Sequence, residues 1–180
     1  MYYQTFYKSP VGNMVIVCDE EQKYITGLWI EGQKYYLDTL TEEPVTKEDI
    51  PVLQKAEDWL DAYFAGKKPE ISALLLKPAG SGFRQTVWEI LCRIPYGNVI
   101  TYGEIAKEMA SKIGKETMSA QAVGGAVAHN PISVIIPCHR VVGSNGSLTG
   151  YARGIDKKIK LLEHEGVNTS VYFMPKSKRN

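Results

Sequence analysis

The residues best able to do chemistry lie in one run, Pro137-Cys138-His139-Arg140, where a thiol stands beside an imidazole and a guanidinium between the apolar segments Val134-Ile135-Ile136 and Val141-Val142. A free thiol with a pKa near ~8.5 is only about 3% ionised at pH 7, so a nucleophilic cysteine needs a base or a positive neighbour. His139 and Arg140 are one of each. Val134-Ile135-Ile136 reads as a short buried strand that delivers Cys138 at its end. Neighbours on a strand point to opposite faces, so His139 reaches the sulfur only through a bent backbone or a bridging water. Glu165, closing a helix over 156–165, is placed to orient the imidazole, as the carboxylate of a triad does. On these residues alone Cys138 reads as a nucleophile, as an inert buried thiol or as a metal ligand. Metal is the weakest of the three, because three cysteines and three histidines show no CxxC or HxxxH spacing.

The elements that must hold this run fall into two groups. Tyr2–Tyr7, Met14–Cys18 and Tyr24–Ile30 are rich in β-branched and aromatic residues, with Gly12-Asn13 as a turn signal, and predict a small antiparallel sheet. Leu53, Ala56, Trp59, Leu60, Tyr63 and Phe64 recur at helical spacing between Pro51 and Gly66. Lys77-Pro78-Ala79-Gly80-Ser81-Gly82 breaks every period and reads as a linker. Beyond it, Phe83, Val87, Trp88, Leu91 and Ile94 form one helix stripe, ended by Pro95-Tyr96-Gly97-Asn98. Thr101-Tyr102-Gly103-Glu104 has the spacing of a capping box for a second helix with Ile105, Ala106 and Met109 inward. A third helix runs from Ser119 to about Asn130, which precedes a proline. Its Ala and Gly residues leave it almost bare, and adjacent Gly124 and Gly125 cost roughly 1 kcal/mol each against Ala. Tight helix packing or close approach of a nucleic-acid backbone would each account for that. The helix over 156–165, capped by Asp156 and stopped by Gly166, turns Ile159 and Leu162 inward.

Composition is that of a folded, non-membrane chain: 44% hydrophobic, 23% charged, with eleven tyrosines in 180 residues. No apolar run approaches the ~18 residues needed to span a bilayer, and Met1-Tyr2-Tyr3-Gln4 lacks the basic start of a secretory signal. Three widely spaced cysteines fit a reducing compartment, so a cytoplasmic location is expected, with core packing for Cys18 and Cys92. The net charge of +1 conceals an asymmetry. Residues 1–79 carry eight Lys and Arg against thirteen Asp and Glu, a net −5, and residues 80–180 carry thirteen against seven, a net +6. A basic half containing two helices joined by 111–118 raises a helix-turn-helix reading with an anionic partner, although the spacer is long for that motif. Chance imbalance plus the basic Lys176-Ser177-Lys178-Arg179 is the plain alternative.

Taken together, Pro137-Cys138-His139-Arg140-Val141-Val142, Ala122-Val123-Gly124-Gly125-Ala126, His129-Asn130-Pro131 and Leu161-Leu162-Glu163-His164-Glu165-Gly166 resemble the O6-alkylguanine-DNA alkyltransferase family, over about residues 82–167. The resemblance implies an α+β chain: a small N-terminal ribonuclease-H-like α/β domain (1–77), a linker (78–82), a helical, winged helix-turn-helix-like DNA-binding and alkyl-acceptor domain (83–170) and a basic tail (171–180). It implies direct reversal of damage in double-stranded DNA. O6-methylguanine, and less efficiently O4-methylthymine, is flipped out and gives its alkyl group irreversibly to Cys138. His139 takes the thiol proton through a water, Glu165 holds His139, and Asn130 braces the preceding turn. Tyr102 turns the phosphate and donates a proton toward the base, Tyr151 with Ala152 covers the base, and the carbonyls of Cys138 and Val141 receive its exocyclic amine.

Ser119, Gln121, Ala122, Gly124 and Arg140 are the implied DNA contacts. Gln121 stands where the family commonly has arginine, which predicts weaker DNA binding with chemistry intact. Arg153 stands where relatives often have glycine, and is expected at the pocket rim as a hindrance to bulky O6-benzyl adducts. The implied protein is a monomeric, single-turnover reagent with no cofactor and no metal. Two rivals stand beside it: a non-catalytic homologue that only binds alkylated DNA, disfavoured by the retained Cys138, and a cysteine hydrolase using Cys138, His139 and Glu165.

Overall fold

Tyr3–Ser9 (β1), Gly12–Cys18 (β2) and Ile25–Ile30 (β3) form an antiparallel meander in which every residue of β2 from Met14 onward is buried. The computed structural model describes residues 1–148 and 151–173, so Lys176 to Arg179 of the expected basic tail lie outside the described residues. The β1–β2 hairpin turns on Pro10-Val11, two residues before the predicted turn: Ser9 pairs with Gly12, and the Ser9 hydroxyl donates to the Gly12 carbonyl at 2.7 Å. Val45–Thr46 (β4) adds in parallel to β1, completing the order β3-β2-β1-β4. Two residues are too few to show a period, which is why composition does not mark this strand.

Pro51–Phe64 (α1) lays Leu53, Ala56, Trp59, Leu60 and Tyr63 on the sheet, and its proline occupies the first turn, where no amide partner is lost. Gly82–Cys92 (α2) starts at Ser81, whose hydroxyl accepts from Arg84 N, and Ile100–Thr101 (β5) leads into Tyr102–Ile113 (α3). The predicted capping box is present in both directions, Glu104 N to Thr101 Oγ1 at 3.1 Å and Thr101 N to Glu104 Oε2 at 3.2 Å. Ala120–Ala128 (α4) is capped by Ser119 and packs with α2 and α3 as a three-helix unit. Val141–Val142 (β6) pairs in parallel with β5, and Ile155–His164 (α5) follows. Its cap is Gly154 at φ +104 rather than Asp156, which sits in the first turn, where its charge suits the helix dipole. No helix among the described residues is long and apolar enough to cross a membrane.

The architecture is therefore mixed α+β, a sheet unit followed by a helical unit. One core runs through both, with Leu28, Ile30 and Leu60 packed in the same cluster as Val87, Ile105, Val127 and Ile135. The backbones join as well, because Leu28 N donates to Pro131 O at 2.8 Å and Ser133 N to Leu28 O at 2.9 Å. Strand β3 thus positions the segment that leads to Cys138.

Candidate active site

The segment before Cys138 is not the predicted strand. Residues 133–136 form a tight turn in which Ile135 N bonds Ser133 O at 2.8 Å around Val134, a buried β-branched residue at φ +68. Pro137, at φ −82 and ψ 64, makes an inverse γ-turn with Cys138 N donating to Ile136 O at 2.8 Å. Cys138–Arg140 is then one turn of 3-10 helix. The apolar run suggested a strand because a short buried run looks the same in either conformation. Left-handed Val134 is strain that the surrounding bonds must hold, and strain of this kind collects at functional sites.

Asn130 does much of that holding. Its side-chain amide donates to Ile136 O at 2.8 Å and Ile132 O at 3.3 Å, and its oxygen accepts from Ile132 N at 3.0 Å. Arg153 closes the turn from outside: Nε donates to Ser133 Oγ at 2.8 Å, and the two remaining nitrogens donate to the Ala128 and Asn130 carbonyls. With 3% of its surface exposed, Arg153 does not stand at a rim as an obstacle to bulky adducts. The guanidinium is drawn inward because three oxygens there accept its hydrogen bonds.

Cys138 and His139 are fully buried. His139 Nε2 bonds Glu165 Oε2 at 2.6 Å, which leaves Nδ1 as the nitrogen free to accept. Burial holds the His139 pKa below its ordinary value, helped by Arg140 and Lys158 and opposed by Glu165, so the imidazole rests neutral. Burial alone would raise the Glu165 pKa, but hydrogen bonds from His139 and Arg140 and the charge of Arg140 outweigh it and hold the group well below the carboxylate range. Arg140, expected on DNA, is committed elsewhere: Nε donates to Glu165 Oε1 at 2.8 Å, Nη2 to Oε2 at 3.2 Å and Nη1 to Ile94 O at 2.6 Å. A guanidinium 6% exposed and bidentate on a buried carboxylate has no free face for phosphate, which corrects that expectation.

Tyr102, at the start of α3, and Tyr151 both surround the thiol. Burial first, and then the nearby Cys138, push both phenols far above their ordinary value, so they stay protonated. Among the described residues only two buried side-chain polar atoms lack a hydrogen-bond partner, His139 Nδ1 and the Tyr151 hydroxyl. In a core that satisfies its other polar side chains, two such atoms, one on the residue that follows Cys138 and one on a phenol near its thiol, mark a place where something else is meant to bind. Ala152 is half-buried, and its carbonyl accepts from Lys34 N at 3.1 Å.

Two members of the site are not legible as such in the sequence. Lys158 is fully buried, donates to the Val141 carbonyl and lies 5.9 Å from the Tyr102 ring and 5.8 Å from the Tyr151 ring. Burial pulls its pKa down to about 8, against the upward pull of Cys138. A carbonyl has two lone pairs, so Val141 still accepts a second donor. A lysine three and four residues before Leu161 and Leu162, on the buried face of α5, was the available signal. Tyr63 is the other, donating to Glu165 Oε2 at 2.6 Å from α1.

The remaining expected residues lie on the outer face of α4. Ser119, Gln121, Ala122 and Gly125 are exposed and Gly124 is half-buried. A Cβ on Gly125 would meet nothing within 4 Å, and one on Gly124 would only touch Tyr102 at 4.0 Å, so no neighbour in the fold demands either glycine.

Residues 1–78 match the ribonuclease-like domain of 6-O-methylguanine DNA methyltransferase, and residues 82–167 match the DNA binding domain of the same family. A methylated-DNA–protein-cysteine methyltransferase of Methanosarcina acetivorans is 41% identical over 167 residues, covering 92% of this chain and 99% of the relative. One from Haemophilus influenzae is 38% identical over 165 residues, covering 92% and 87%. Among solved structures, Mycobacterium tuberculosis OGT in complex with DNA superposes with a TM-score of 0.75 at 36% identity, covering 95% of this chain and 94% of that one.

Proposed function

The chain belongs to the 6-O-methylguanine DNA methyltransferase family, and from that premise we propose that it repairs DNA by direct reversal, moving the alkyl group of O6-methylguanine onto Cys138. The observation that carries this reading is the pair of unused polar atoms, His139 Nδ1 and the Tyr151 hydroxyl, in the otherwise satisfied wall around a buried thiol.

The thiol proton passes through a bridging water to His139 Nδ1, and ionised Glu165 steadies the imidazolium across the 2.6 Å bond without taking the proton. The thiolate sulfur attacks the methyl carbon, the S–C bond forms as the C–O6 bond breaks, and the bonding electrons return to the base. Tyr102, kept protonated by burial, donates toward the base as that charge develops. The imidazolium then restores the proton, and the base leaves as guanine. The products balance as thioether plus guanine. No second thiol is placed to reverse a thioether, so one chain repairs one lesion, as a monomer and without a cofactor.

The O6-alkyl carbon must leave the base stack to reach a fully buried sulfur, and flipping supplies that path. Tyr151 and Ala152 cover the base, the Cys138 and Val141 carbonyls read its exocyclic amine, and O4-methylthymine, with no such amine, is the poorer substrate. Ser119, Gln121, Ala122 and Gly124 meet the backbone and the gap, where a bare helix permits close approach. Asn130 keeps the turn in place, and the protein acts in the cytoplasm.

Incubation with an O6-methylguanine duplex followed by intact mass measurement tests the reading. Wild type gains one methyl group, mapped to Cys138, in a single stoichiometric burst. Turnover beyond one equivalent, or a methyl on another residue, would sink it.

A further inference from the structure

Glu165 is held by more donors than an imidazole relay requires, and one of them comes from the N-terminal half. Oε1 accepts from Arg140 Nε at 2.8 Å and Gly97 N at 3.0 Å. Oε2 accepts from His139 Nε2 at 2.6 Å, from the Tyr63 hydroxyl at 2.6 Å and from Arg140 Nη2 at 3.2 Å. A carboxylate has about four lone-pair sites, so five donors saturate it. His139 therefore shares its oxygen with a phenol whose bond is as short as its own.

The phenol is aimed, not incidental. The Tyr63 ring lies parallel to Trp59 at 5.7 Å and edge-on to Tyr96 at 5.9 Å, and the Tyr63 carbonyl accepts from His164 Nε2 at 2.7 Å. Carbonyl and hydroxyl thus tie the end of α1 to His164, the last residue of α5, and to Glu165, its cap. Burial and the Glu165 charge push the Tyr63 pKa far up, so it acts only as a donor.

We propose that Tyr63 is a positioning residue of the relay, through which the N-terminal domain sets the basicity of His139 by sharing Glu165 Oε2 with it; this rests on the relay described under Proposed function. Each hydrogen bond given to a carboxylate spreads its charge and weakens its hold on an adjacent imidazolium. The charged groups facing His139 are Arg140 on its own turn, Lys158 on α5 and Glu165 at the cap of α5. Tyr63 reaches it only through Glu165. With Tyr63 drawing on Oε2, His139 stays neutral and ready to accept a proton.

Tyr63→Phe keeps the ring and removes the donor. Three quantities are measured: acid titration of the His139 imidazole NMR signals without DNA, single-turnover methyl transfer against pH, and duplex affinity. The expected result is a His139 pKa raised by about half a pH unit and a transfer rate about 3-fold lower on the acidic limb, at unchanged affinity. A lower melting temperature with both the His139 titration and the acidic limb unmoved would overturn the proposal and leave Tyr63 a packing residue. Should Tyr63→Phe not fold, 3-fluorotyrosine placed at position 63 decides instead. Its stronger donor must move the His139 titration the opposite way, and no movement overturns the proposal. If wild type transfers no methyl, the function proposed above fails, while the His139 titration still decides the role of Tyr63.

Discussion

The turn that carries Cys138 and the helix that runs into it are neighbours in sequence and opposites in construction. Between Asn130 and Arg140 the chain is buried, backbone carbonyls are captured by Asn130 and Arg153, and charges are paired. Ser119, Gln121, Ala122 and Gly125 are exposed, all but Gln121 are small, and a Cβ on Gly125 would meet nothing within 4 Å. The first region trades adaptability for fixed geometry, because the relay rests on bonds of 2.6 Å. The second leaves open space along its outer face, the room that the proposed DNA partner needs. Damage to the turn should therefore act on chemistry or folding, and damage to the helix on binding.

The largest effect is expected from Cys138→Ala, which abolishes methyl transfer while leaving lesion-duplex affinity within about 3-fold, since the sulfur is buried. Gel-shift and mass measurements on one preparation check both halves, and a collapse of affinity would break the division between the regions.

Next comes Arg140→Met, which leaves Glu165 short of its charged partner and should cost about 3 to 5 kcal/mol in denaturant unfolding. If Arg140 touched phosphate instead, the loss would appear in the salt dependence of DNA binding and not in stability.

Lys158→Met removes the donor on the Val141 carbonyl and a cation beside Cys138, and is expected to slow transfer about 10-fold. Because burial pulls the Lys158 pKa down to about 8, wild-type transfer should fall as pH rises through that value. Rate profiles of the two proteins test this, as the fall should be absent in the variant.

Stability should respond to acid in a fixed direction. Both His139 and Glu165 have folded pKa values below their unfolded ones, so the unfolded chain binds protons first as pH drops. The contribution from His139 is complete above the ordinary imidazole value near ~6.5 and shrinks below it; that from Glu165 shrinks only below the ordinary carboxylate range. Urea midpoints measured at about pH 7.5, 6 and 5 should decline, and a rise would overturn the neutral assignment of His139.

The smallest effect belongs to the helix. Gln121→Arg should tighten lesion-duplex binding about 5-fold, by adding a charge and a stacking plane, with an unchanged rate at saturation. Fluorescence anisotropy showing no gain would mean that this position does not meet the gap.

Local patterns could be read without a fold wherever the physics is local. The periodic stripes of α1 and α2, the Thr101–Glu104 capping box and the Ser119 cap depend on residues within four positions of one another, and each stands where its spacing predicts. The juxtaposition of Cys138 and His139, and the candidacy of Glu165, were equally visible because chain order or helix end placed them. Direction and partner were not. Arg140 reads as a DNA contact and is a buried counter-ion; Arg153 reads as a rim obstacle and is a brace; Val134 to Ile136 reads as a strand and is a strained turn. Tyr63 reads as part of an apolar stripe and Lys158 draws no reading at all from the sequence, yet the fold brings both to the site, Tyr63 across 102 residues of sequence. Where a polar side chain points is settled by which unpaired donors and acceptors the folded core leaves within its reach, and that accounting exists only after the two halves close on each other.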